Sequence, residues 1–231
     1  MTLKGKTIAI TGAFGSLGAA VVRAALAEGA NVAAIDRAAA PRNPDELAGA
    51  LLFGAVDLGN AESARNAFAA IAQATGGLDG LVNIAGGFAW ETLADGSLDT
   101  WDRLYNLNLR TAVSATQAAL PHLLARGSGR IVNIGAAGAT KAAAGMGAYA
   151  ASKAGVAKLT EALAEELKDR GITVNALLPS ILDTAPNRAD MPNADFSRWV
   201  QPEQLADVIL FLLSDKAGAI TGAQIPVLGR V

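Results

Sequence analysis

Short apolar runs rich in β-branched residues alternate with longer Ala-rich stretches of helical period along this chain, and that alternation restricts its fold more than any other feature. The strand-like runs fall at 7–11, 31–35, 51–56, 78–84, 130–134, 172–178 and 223–228. Stretches 15–28, 61–74, 97–125, 147–170 and 202–214 read as helices. Strands separated by helices at this spacing make βαβ units, whose right-handed crossovers build a parallel sheet covered on both faces. The expectation is one α/β domain over 1–231, with a doubly wound parallel sheet and helices on both faces. The one long stretch without a pattern is 179–199. An irregular segment of ~20 residues inside a compact domain usually has a function, so it is expected to be a substrate loop or lid.

Composition removes whole classes of function. Hydrophobic residues make up 52% and charged residues 17%, with a formal net charge of −2, so no basic surface for nucleic acid is expected. There is no cysteine and the one histidine is His122, which excludes disulfides, thiolate metal sites and a histidine-rich metal site. No run reaches the ~18 apolar residues of a membrane span. The start, MTLKGKTIAITG, enters a strand pattern directly without a signal-peptide pattern. A cytoplasmic protein with a small-molecule substrate, and no nucleic-acid or membrane partner, is expected.

The turn after the first strand reads TGAFGSLG, Thr11 to Gly18. Thr11, Gly12, Gly15, Ser16, Leu17 and Gly18 place glycines where a backbone can approach a pyrophosphate, just ahead of a helix N-terminus that offers free N–H groups. Asp36 ends the second strand, where a carboxylate accepts hydrogen bonds from adenosine ribose hydroxyls and repels a 2′-phosphate. Arg37 follows and partly offsets it. NAD(H) is therefore favoured, with NADP(H) the alternative. Asp57, beside Leu58, reads either as an adenine ligand or as the N-cap of the following helix.

Tyr149 and Lys153 stand at i and i+4, on one face of a helix. An ammonium beside a phenol favours the phenolate, so the Tyr149 pKa is expected below its usual ~10, fit for general acid–base work.

The chain resembles the short-chain dehydrogenases/reductases, which have a Rossmann-type fold. The resemblance runs over essentially its whole length through TGAFGSLG, NIAG (83–86), NLN (106–108), YAASK (149–153) and VNALLPSILDT (174–184). It implies a nicotinamide-dependent oxidoreductase with Tyr149, Lys153 and Asn108 catalytic, Lys153 also gripping the nicotinamide ribose and Asn108 holding a relay water. It implies that Asn83, Ala85 and Gly86 line the adenine-ribose side, and that Pro179, Leu182 and Thr184 contact the nicotinamide carboxamide. It also implies a homodimer or homotetramer built on the two long helices.

One departure stands out. Where the family carries its catalytic serine, thirteen residues before Tyr149, this chain has Ala136. Losing such a donor costs ~3 kcal/mol of barrier for a carbonyl reaction. The substrate does without that donor, another donor replaces it, or the chain is a non-catalytic nucleotide sensor or scaffold. The dihydropteridine reductase branch shares the alanine, the glycine pair of AGGF (85–88), the Gly–Met before the tyrosine, and much of LDTAPNRADMPNADFSRW (182–199). That resemblance implies hydride transfer from NADH to a quinonoid dihydropteridine-like ring with Tyr149 as general acid. A carbonyl or 3-oxoacyl reductase, or an alcohol dehydrogenase, is the alternative. Phe88, Trp90, Met146, Phe196 and Trp199 read as an aromatic pocket around Ala136 or as lid packing. Arg188 reads as a substrate ligand or as a partner of Asp183 or Asp190.

Overall fold

The computed structural model describes residues 3–231. Its core is a seven-stranded sheet in the order β3-β2-β1-β4-β5-β6-β7. The strands are β1 (Thr7–Thr11), β2 (Asn31–Ile35), β3 (Leu51–Phe53), β4 (Gly80–Asn83), β5 (Gly129–Ile134), β6 (Ile172–Pro179) and β7 (Gln224–Val227). All pairings are parallel. The helices are α1 (Ser16–Ala27), α2 (Ala61–Thr75), α3 (Leu98–Leu104), α4 (Thr111–Arg126), α5 (Gly147–Leu167), α6 (Ala185–Asp190) and α7 (Pro202–Leu213). This is the Rossmann-type α/β architecture that the alternation implies.

Strand side chains alternate between two helical layers. Ile8, Ile10, Val82 and Val132 pack against α1 and α7 through Val21, Leu205 and Ile209. Ala9, Leu81 and Ile131 face the other way, onto Phe68, Leu123 and Leu163 of α2, α4 and α5. β1 and β6 are buried along their whole length. Strands covered on both faces show unbroken apolar runs, which is why they were visible in the sequence.

Two stretches differ from the reading above. The helix expected over 97–125 is interrupted by a π-helical segment, Tyr105–Arg110, between α3 and α4. Just past it, the Thr111 hydroxyl donates to the Leu107 carbonyl at 2.7 Å. The expected loop 179–199 contains α6, whose N-cap Thr184 accepts from the Asn187 N–H, and a 3₁₀ turn at Phe196–Arg198.

The β1–α1 turn is as tight as the glycines imply. A Cβ on Gly18 would overlap the Gly12 carbonyl and lie 2.6 Å from the Ala13 Cα. Gly18→Ala is therefore expected to lower stability by about 2 kcal/mol, the usual scale of overpacking. Urea unfolding checks this; an unchanged midpoint contradicts the packing described.

Candidate active site

The sheet order reverses at β1, which pairs with β2 on one side and β4 on the other. Crossovers leaving this point in opposite directions open a crevice at the strands' C-terminal ends. The crevice holds about 1120 Å³ and is lined by Gly12, Gly15, Ser16, Leu17 and Gly18, by Asp36, Arg37, Asp57 and Leu58, and by Ala85 and Gly86. α1 begins there with Gly15 as N-cap and no side-chain cap. Its first-turn N–H groups lack intrahelical partners, which fits the pyrophosphate of a dinucleotide.

At the rim, the Asp36 carboxylate accepts from the Phe14 N–H at 3.0 Å and the Ala38 N–H at 2.9 Å. These two bonds fix its direction and leave acceptor capacity for ribose hydroxyls. Asp57 is not the helix cap; Asn60 is, accepting from the Glu62 and Ser63 N–H groups, while Asp57 accepts from the Gly59 N–H at 2.9 Å and lines the crevice. Arg42, Arg103 and Arg110 line it too, and nothing in their sequence context marked them. Arg110 donates to the Gly59 carbonyl at 3.1 Å.

Seven of the expected cofactor residues are not in the crevice lining: Tyr149 and Lys153, described below, and five others. Thr11 is buried, and its hydroxyl accepts from the Ile84 and Ala85 N–H groups, tying β1 to the end of β4. Asn83 turns beneath the sheet surface, donating to Thr116 at 3.1 Å and Asn133 at 2.9 Å. Pro179 ends β6 and Thr184 caps α6, while the Leu182 carbonyl accepts from the Asn187 amide at 2.8 Å. None of these five residues lines the crevice; Pro186 of α6 does.

Past Gly86 lies the chemical end. A Cβ on Gly86 would come 2.6 Å from Asn108 Oδ1 and 3.4 Å from Lys153 Nζ, so glycine is required there. The buried Lys153 ammonium donates to the Ile134 carbonyl at 2.7 Å. Asn108, on the π segment, accepts from the Gly87 N–H at 2.8 Å and donates to Ser152 Oγ at 2.9 Å. Ser152 Oγ in turn donates to the Tyr149 carbonyl at 2.7 Å. The reading from sequence missed Ser152, although it is three residues beyond Tyr149. The Tyr149 ring meets the edge of Phe88 with centroids 5.0 Å apart.

The electrostatics reverse one expectation. Burial pushes the Tyr149 phenol up to about 12 and the Lys153 ammonium down to about 8. Desolvation disfavours the charged form of each, and the ammonium is bonded to a carbonyl. At neutral pH the phenol is protonated and the lysine, one helical turn along, carries its charge.

The remaining pocket candidates divide. Ala136 is buried just after β5, where its methyl offers no hydrogen bond. Met146 precedes α5 and reaches Gly138. Trp199 is buried, 5% exposed, with the Phe196 ring against it. Phe196 sits between Trp199 and the Arg188 guanidinium. Arg188 pairs with Asp183 through two hydrogen bonds, and Asp183 also accepts from Gln201 at 2.8 Å. These contacts, with the Arg188 hydrogen bond leading, hold the Asp183 carboxyl down at about 2.

Comparison with known proteins agrees with this geometry. Residues 6–194 match the model of the short chain dehydrogenase family. The 2-(S)-hydroxypropyl-CoM dehydrogenase 3 of Xanthobacter autotrophicus is 35% identical, with 98% of this chain and 96% of that protein covered. The 3-oxoacyl-(acyl-carrier-protein) reductase of Thermotoga maritima is 33% identical, with 99% and 98% covered. Carveol dehydrogenase from Mycobacterium avium, solved in complex with NAD, superposes with a TM-score of 0.87 at 28% identity, with 98% and 97% covered. The chain belongs to the short-chain dehydrogenase/reductase family and is an NAD(P)-dependent oxidoreductase. No helix among the described residues is long and apolar enough to cross a membrane.

The buried lysine makes stability depend on pH. Because its folded pKa, about 8, lies below the ordinary 10.5, the unfolded chain binds more protons between those values. Stability of the native protein relative to Lys153→Met should therefore rise with pH across that window, by about 3 kcal/mol on a shift of that size. Urea unfolding of both proteins from pH 7 to 10 measures it; parallel profiles contradict it.

Proposed function

We propose that this enzyme transfers hydride from NADH to a flat, electron-poor quinonoid dihydropteridine-like ring, with Tyr149 as the general acid. The observation that carries this reading is the Phe88 ring against Tyr149, with centroids 5.0 Å apart; the resemblance to the family adds Ala136, buried after β5, at the position read as its serine. A ring that already carries an electron-poor site builds less charge on one oxygen as hydride arrives, so it depends less on a second donor. Phe88 and Met146 supply apolar contact for such a ring, and Arg188 with Phe196 closes its far side.

Reduced nicotinamide, when bound, supplies the hydride. The uncapped turn at Ser16–Gly18 holds the pyrophosphate, Asp36 and Asp57 take the adenosine end, and Lys153 holds the nicotinamide ribose. Tyr149 passes its hydroxyl proton to the substrate heteroatom, and the phenolate left behind is stabilised by the Lys153 cation. A proton returning from solvent, by way of Asn108, restores the phenol. The Asp36 carboxylate at the rim supports NADH as the cofactor. Arg37 and Arg42, which have no hydrogen-bond or ion-pair partner among the described residues, leave room for NADPH.

A second reading, reduction of a carbonyl or 3-oxoacyl group, draws on the 3-oxoacyl reductase among the relatives. We further infer that the whole chain acts as one nucleotide-binding unit with 179–199 as its lid. It works as a homodimer or homotetramer, in keeping with Leu98, Trp101 and Tyr105 exposed along one helix face.

NADH and NADPH oxidation followed with quinonoid dihydropterin and with a ketone panel tests the proposal. The expected result is pterin turnover with NADH that falls by a factor of about 10² or more in Tyr149→Phe. Ala136→Ser should raise ketone turnover by about tenfold or more, within the reach of one added donor, and pterin turnover far less. Brisk ketone reduction with no pterin turnover supports the second reading. Tight cofactor binding with no turnover of anything marks a nucleotide sensor.

A further inference from the structure

The loop between β4 and α3, residues 84–97, does more than wall the crevice. Trp90 is 61% exposed, yet the pyrrole edge of its indole is held by two contacts. Its Nε1–H donates to the Ala144 carbonyl at 2.9 Å. Its ring lies against Gly145, which has φ +74° and where any Cβ would overlap the indole. The next residue repeats the contact: the Glu91 N–H donates to the Gly145 carbonyl at 2.8 Å. Glu91 Oε1 accepts from the Ser97 N–H at 2.8 Å, just ahead of α3. From α3, Trp101 reaches back to Gly147, the first residue of α5, where a Cβ would stand 3.3 Å from its ring. Two residues before Trp90, Phe88 touches the Tyr149 ring.

The start of α5 is thus gripped on both sides of Met146, and Tyr149 sits in its first turn. We propose that Trp90 is a positioning residue: its clip on the Ala144–Gly145 turn sets where the Tyr149 hydroxyl points, through the first turn of α5 and through Phe88. The inference rests on Tyr149 being the general acid. Ala136 carries no hydroxyl, so on the proposed reaction the direction of the Tyr149 hydroxyl has no donor at that position to supplement it. A displacement of ~1 Å at such a group costs about 10² in rate. A largely exposed side chain contributes little to global stability, so the clip's contribution belongs to geometry.

The test uses the full chain with Tyr105→Phe, which leaves Tyr149 as the one tyrosine, incorporated as 3-fluorotyrosine. Trp90→Ala should shift and broaden the Tyr149 fluorine resonance, with the urea midpoint nearly unchanged. Turnover number should fall by about tenfold or more, with the KM for NADH within about twofold. Trp90→Phe, which keeps a ring but loses the N–H donor, should recover part of both readouts, and Gly145→Ala should reproduce the loss with Trp90 intact. An unchanged fluorine resonance and turnover number in Trp90→Ala overturn the proposal, as does a loss that merely follows unfolding. If the parent protein reduces none of the substrates, the proposed function fails, while the fluorine resonance still decides the clip.

Discussion

A single buried ammonium organises the chemical end of this molecule. Lys153 donates a hydrogen bond to the Ile134 carbonyl at the end of β5, and the groups around it are arranged to leave room for that bond. A side chain at Gly86 would press on the Asn108 side chain, which packs beside the lysine. The helix before α4 widens into a π segment whose Asn108 joins the Gly87 backbone to Ser152. Ser152 then closes onto the Tyr149 carbonyl. A buried cation is costly unless hydrogen-bonded, so this fold carries a local penalty for keeping one there. Such penalties cluster where chemistry is done.

In the proposed reaction, the same burial determines how the tyrosine works. With its phenol raised to about 12, Tyr149 holds its proton at neutral pH and yields it only to a strongly basic acceptor. An oxygen or nitrogen receiving hydride is such an acceptor at the moment of reaction. The cation then offsets the charge left on the phenol. Under that proposal the site separates two tasks, with the proton on one residue and its compensation on another one helical turn along.

The layered sheet was legible because its signals are local. Strands buried on both faces leave unbroken apolar runs, and the glycine-rich turn sits directly between one strand and one helix. The crevice residues from Gly12 to Gly18, with Asp36 and Asp57, follow from that placement. What escaped depends on contacts between distant segments. Nothing in the hydropathy of 97–125 marks a π segment, because Asn108 is turned by the backbone of Gly87, 21 residues away. The i,i+4 spacing of Tyr149 and Lys153 implied an acidic phenol, but the ammonium belongs to a carbonyl 19 residues upstream. Asp57 and Asn60 both had cap chemistry, and only the helix start distinguishes them. Trp199 had the composition of a pocket wall, yet it is buried with the Phe196 ring against it, a contact the sequence does not show.

The most direct test of a protonated phenol backed by a buried cation is the pH dependence of kcat/KM for NADH-driven reduction. The account predicts a level profile through neutrality and a fall above about pH 8, where Lys153 loses its charge, with no rise at any lower pH attributable to the phenol. A rate that climbs with pH through neutrality and holds to pH 10 would mean that phenolate and neutral amine are the working forms, and would contradict it.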